Sequence, residues 1–102
     1  MKDKEKQIIS FYGVLPQLKY MQTEMFEFIE AILTVEHKLK GYVSWLYLEP
    51  EDKTHIEEEY ADLTMMLEQF KEYYHLDEDN IQRIKEQKIE RQLKRIEKEK
   101  QE

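Results

Sequence analysis

The stretch QLKYMQTEMFEFIEAILTVEHKLKG, residues 17–41, decides the fold class. Leu18, Met21, Met25, Phe28, Ile32, Val35 and Leu39 recur in it at alternating spacings of three and four. That period places successive side chains on one face of an α-helix. The spacing predicts a long helix with one apolar stripe. It starts near Pro16, where a missing backbone N–H matters least, and ends at Gly41.

Upstream, Ile8, Ile9, Tyr12 and Leu15 make a short amphipathic start that Gly13 and Pro16 break. Downstream, residues 42–53 (YVSWLYLEPEDK) lose the helical period and contain Pro50, which reads as a connection with room for a short extended or helical piece. Thr54 with Glu57 three residues later is a capping-box pattern. It predicts a second long helix striped by Ile56, Tyr60, Leu63, Leu67, Phe70 and Tyr74. HLDEDN, residues 75–80, interrupts that pattern and offers Asp and Asn as N-caps for a last helix carrying Ile81, Ile84, Ile89, Leu93 and Ile96. The terminal EKEKQE, residues 97–102, is expected to fray. The five Met at helical spacing are expected in the core.

Length and composition agree with this reading. A chain of 102 residues with 40% apolar content supports one domain, residues 1–102, with one modest core. Two Gly, two Pro and 38% charged residues point to an all-α protein. There is no Cys, which excludes disulfides, thiolate nucleophiles and Cys-based metal sites. The polar start MKDKEKQ leads into no long apolar run, and no stretch approaches the roughly 18 to 20 apolar residues of a membrane span. A soluble cytoplasmic protein with no membrane partner is expected.

The net charge is −7, unevenly distributed. Residues 81–102 hold eight Lys/Arg against five Glu, and the first eighty hold eight against eighteen acids. This asymmetry argues against nucleic-acid binding by the body, and is compatible with an acidic centre served by a basic C-terminal helix.

Glu24 and Glu27 are three apart on the first long helix, and Glu59 and Asp62 repeat that spacing on the second. Spacing alone is weak: composition predicts about three Glu-x-x-Glu pairs by chance, and three are present. Solvated helix faces account for such pairs without a site. Position beside an apolar stripe is more informative. If the stripes pack together, both pairs flank the seam, and each facing pair of like charges at ~4 Å costs about 4 kcal/mol at an effective dielectric near 20. A hard divalent cation such as Mg2+ or Mn2+ would offset that cost, and it commonly binds substrate phosphates as well.

QLKYMQTEMFEFIEAI (residues 17–32), IEEEYADLTMMLEQF (56–70) and IKEQKIERQLKRI (84–96) together resemble the MazG-like all-α nucleoside triphosphate pyrophosphohydrolases, particularly the small single-domain bacterial and phage type. The hallmark is an ExxE pair on one helix and an ExxD pair on a later one, here Glu24, Glu27, Glu59 and Asp62. The resemblance implies that these four ligate Mg2+, with Glu27 and Glu59 counted as catalytic. It also implies that Lys88 and Arg91 of KIER contact the triphosphate. Those two are three apart on one helix, and the planar guanidinium suits phosphate oxygens. Balancing Glu86 and Glu90 on a solvated face is the plainer reading of the same pair. Thr23 stands where many relatives carry an acid, and thirty-one residues separate Glu27 from Glu59, a longer span than is common.

Other residues carry less. Glu58 suits a ligand role or a surface acid equally. Tyr42, Trp45 and Tyr47 suit an aromatic wall for a base, or more simply a plug at the bundle end. His37, His55 and His75 form no metal or catalytic pattern. Gln17 suits a contact to a nucleobase but reads more simply as a helix-start surface residue. Only two glycines are present and neither precedes Lys-Ser/Thr, which excludes a phosphate-binding P-loop.

The expectation is a helical bundle of MazG-like type whose four-helix core is completed by dimerisation, as a homodimer or tetramer. Its expected activity is hydrolysis of (d)NTP to (d)NMP and pyrophosphate by a metal-activated water. The alternatives are a dUTP- or dCTP-specific all-α pyrophosphatase and a non-catalytic helical interaction protein.

Overall fold

Gly13 sits at φ 94°, a backbone conformation open to glycine, and it divides two helices. Its N–H closes the first on Ile9 O at 2.8 Å and its carbonyl opens the second to Gln17 N at 3.2 Å. The computed structural model describes residues 2–40 and 43–102, and these form α1 (Lys2–Tyr12), α2 (Val14–Leu39), α3 (Pro50–Tyr73) and α4 (Glu78–Gln101). The all-α expectation holds, with no strand among the described residues. None of these helices is long and apolar enough to cross a membrane.

α2 ends at Leu39, and Lys40 takes the left-handed conformation at φ 46° with its N–H on Glu36 O. Gly41 and Tyr42, the expected helix stop and one of the expected aromatic residues, lie outside the described residues. α3 begins four residues before the capping box. Pro50 occupies its first turn and Glu51 and Asp52 face the positive end of the helix, so Thr54 sits inside α3 and caps nothing. The locked φ of Pro50 starts the helix there, ahead of the Thr54 signal. A Lys38–Asp52 ion pair at 2.9 Å ties the end of α2 to this first turn.

α2 packs along α3, and α1 folds across α3. Among the described residues, Ile9, Ala31, Val35 and Met66 are the buried apolar side chains, accompanied by Gln17, Glu24 and Gln69. Phe28 and Tyr60 meet between α2 and α3 with ring centroids 6.1 Å apart. Gln17 is therefore not a surface residue. Its Nε2 donates to Gln69 Oε1 at 2.7 Å in the buried layer, because the turn at Gly13 lays α1 over the start of α2.

The single stripe expected on α2 proves to be two faces. Gln17, Glu24, Ala31 and Val35 face inward, while Leu15, Leu18, Met25, Phe26, Ile29 and Leu33 stay exposed on another side. Met25 and Met65 are likewise exposed, so only part of the Met set is core. α3 repeats the division, with Tyr60, Leu67 and Tyr74 exposed at i, i+7 and i+14.

α4 stands apart. Apart from contacts of Glu78 in its first turn, it packs against none of α1–α3, and none of its residues is buried. The radius of gyration is 17.4 Å, against about 13 Å for a compact domain of this length.

Candidate functional site

Glu24 is placed by α2 on its inner face, Glu27 one turn on toward the rim, and Glu59 by the facing turn of α3. One carboxylate oxygen from each lies within 4.8 Å of the other two. Glu24 is only 5% exposed. Oε2 of Glu24 and Oε2 of Glu59 are both buried with no hydrogen-bond partner. Buried polar atoms in folded proteins are almost always paired, so two orphaned oxygens in one cluster call for an explanation.

The electrostatics agree. Burial, then Glu27 and Asp62, push the Glu24 carboxyl above its ordinary range, against a hydrogen bond from the Tyr20 hydroxyl that pulls it down. Burial and the neighbouring Glu27 raise Glu59 likewise. Facing carboxylates offer each other only acceptors when ionised, so a proton is one species that relieves their repulsion. A divalent cation is the other species that suits this geometry. Three converging carboxylates with two unpartnered oxygens fit a hard, oxygen-preferring ion such as Mg2+ or Mn2+.

Of the four acids expected to converge, Glu24, Glu27 and Glu59 form the compact group. Asp62 is half-buried one turn along α3 and acts on Glu24 and Glu59 through its charge, without belonging to that group. Glu58 is exposed and borders a shallow hollow with Pro50, Thr54 and His55, outside the cluster. Thr23 is exposed, its hydroxyl donating to Lys19 O at 3.4 Å. Lys88 and Arg91 lie exposed on α4, and the protomer does not bring them to the acids.

Trp45 and Tyr47 do not plug the bundle. Trp45 is 75% exposed and Tyr47 is also exposed. Trp45 edges a small hollow of about 130 Å3 between α2 and the start of α3. The connection there turns tightly, with Leu46 N–H on Val43 O and Tyr47 N–H on Ser44 O, which holds these rings at the surface.

Two residues were not singled out for the site. Tyr20 donates to Glu24 from four residues upstream, an i, i+4 spacing that was legible. Its own hydroxyl is raised by the charge of Glu24 and by burial. Gln69, 1% exposed, joins Gln17 in lining a cavity of about 430 Å3 with Ile8, Tyr12, Tyr20 and Met65, beside the acids. No local feature of the sequence distinguishes Gln69 from a surface glutamine. No family model, curated protein or solved structure matches this chain.

Proposed function

We propose that the protein is a Mg2+-dependent nucleoside triphosphate pyrophosphohydrolase that releases the monophosphate and pyrophosphate, working as a homodimer or tetramer in the cytoplasm. One observation carries this reading: carboxylates from two helices converge within 4.8 Å while two of their buried oxygens lack partners. Glu24, Glu27 and Glu59 would hold the ion, with Asp62 adding charge beside them. Bound there, Mg2+ supplies charge neutralisation for the triphosphate and acidifies the attacking water. Glu27, the exposed member, faces the open side and is suited to accept a proton from that water. Tyr20 holds the buried Glu24 in orientation through its hydroxyl. Lys88 and Arg91 supply the cationic grip on the phosphates from α4.

The test is pyrophosphate release from the eight common ribo- and deoxyribonucleoside triphosphates with and without Mg2+, which also reads any preference for dUTP or dCTP. Glu59→Gln should abolish Mg2+-dependent release with helicity retained, and full activity in that variant removes Glu59 from the ligand set.

A second reading has its own observation. The uncovered apolar faces of α2 and α3 suit a helical interaction protein without catalysis. Thermal stabilisation by Mg2+ with a non-hydrolysable nucleotide supports the hydrolase, whereas indifference to both supports the interaction protein.

A further inference from the structure

α4 is a 24-residue helix with almost nothing packed against it. At 1.5 Å per residue it reaches about 36 Å, and a lone helix of this kind is only marginally stable in water. Its exit from α3 is nevertheless built firmly. His75 adopts φ 54°, Leu76 N–H returns to Lys71 O at 3.0 Å, and His75 N–H returns to Glu72 O at 3.3 Å. This paired closure is a Schellman motif. On the far side the Asp77 side chain accepts from Asn80 N–H at 3.0 Å, and Lys71 pairs with Glu78 across the junction. The helix is thus held out from its own protomer by a defined corner.

The face α4 presents is specific. Ile81, Ile84, Lys88, Arg91, Arg95 and Lys98 fall at i, i+3, i+7, i+10, i+14 and i+17, one stripe that begins apolar and becomes basic. Glu86, Glu90 and Glu97 fall on the opposite side, and among the described residues none of these four cations makes an ion pair. Residues 1–80 carry eighteen acids against eight Lys/Arg, and among the described residues no ion pair reaches their carboxylate cluster. The protomer also exposes 8695 Å2, when about 6,200 Å2 is expected for a folded monomer of this mass. The surplus of roughly 2,500 Å2 per protomer corresponds to about 5,000 Å2 over a pair, the upper part of the range for extensive homodimers.

We infer that α4 works in trans: it docks on a second copy of this chain with its basic stripe against that copy's acid cluster, so that each site takes its carboxylates from one protomer and Lys88 and Arg91 from the other. The phosphate-binding part of this inference rests on the hydrolase reading; the docking does not. The charge match and the surplus surface both point to a second copy as the occupant.

The chain has no Cys, so cross-linking is free of background. Thr23→Cys in unlabelled chain and Gln87→Cys in 15N-labelled chain are mixed at tens of micromolar with a short bis-maleimide, after circular dichroism has shown both folded. Cross-linked species pairing one light and one heavy chain are expected, with light scattering giving about twice the 12.7 kDa protomer mass. A monomer at that concentration overturns the proposal, as does a chain carrying both cysteines that cross-links only within itself. A second arm mixes Glu59→Gln with Lys88→Ala/Arg91→Ala. Shared sites regain pyrophosphate release at about a quarter of the unsubstituted level through random reassortment, whereas sites built within one chain regain none, which overturns the shared arrangement. Cross-linking without any pyrophosphate release from the unsubstituted protein leaves docking standing and defeats the hydrolase reading alone.

Discussion

Glu24 concentrates the tension of the site, since it is buried, raised in pKa by that burial, and left with one oxygen unpaired. Glu24→Gln keeps an acceptor for the Tyr20 hydroxyl and removes the charge. The metal-free protein should gain on the order of 1 kcal/mol, with Tm rising by about 4–8 °C. The same variant should lose most of its stabilisation by Mg2+, and paired thermal melts with and without the ion check both statements. Titration gives a second prediction. Because Glu24 and Glu59 both bind protons more tightly folded than unfolded, their stabilising contribution is complete below the ordinary carboxyl value of 4.5 and is lost as pH rises through their raised values. In chelator, Tm should therefore climb as the solution is acidified from neutrality toward about pH 5. Added Mg2+ should act in the opposite sense, raising Tm most at neutral pH, by about 2.7 kcal/mol of stability at a hundredfold excess over Kd. A metal-free Tm that falls steadily over that range contradicts the assignment of cost to these two carboxyls.

Between helices, the Gln17–Gln69 hydrogen bond fixes how α2 meets α3 beside α1. Truncating one partner strands a buried amide, so Gln17→Leu or Gln69→Leu alone should cost about 1–3 kcal/mol. Making both changes should cost clearly less than the two single costs together. Urea melts arranged as a double-mutant cycle measure the difference. At the other end of α3, His75 carries the left-handed corner that aims α4. His75→Gly should stabilise the protein by about 1 kcal/mol by relieving the Cβ clash. A destabilised variant would mean that the imidazole makes a contact worth more than the strain.

The whole protomer is a partial bundle that leaves many large apolar side chains uncovered. Phe26 and Ile29 are exposed on α2 beside Leu33, and Tyr60 and Leu67 are exposed on α3. A monomer with that much uncovered apolar surface is unusual, and pairing with a second copy removes it from water at about 25 cal/mol per Å2. Phe26→Glu/Ile29→Glu alters side chains that the protomer leaves in water, so each chain should keep its helicity while light scattering reports a shift from dimer toward monomer. A dimer that survives those charges is assembled through some other surface.

Much was legible in the sequence because it is local. Helical periodicity around residues 17–39 and 56–74, the Asp77 cap and the spacing of Glu24 with Glu27 and of Glu59 with Asp62 depend only on neighbours along the chain. Other features depend on what packs against what, which spacing does not encode. The folding of α1 across α3 put Gln17 and Gln69 in the core, and the tight turn before α3 left Trp45 in water. One apolar stripe on α2 became an inner and an outer face, because α1 and α3 together cover only one side. The sequence determined four helices and which acids they carry. The tertiary arrangement alone decided that three of those acids share one small volume while α4 remains outside it, since burial and convergence are properties of surfaces meeting in space and have no period along the chain.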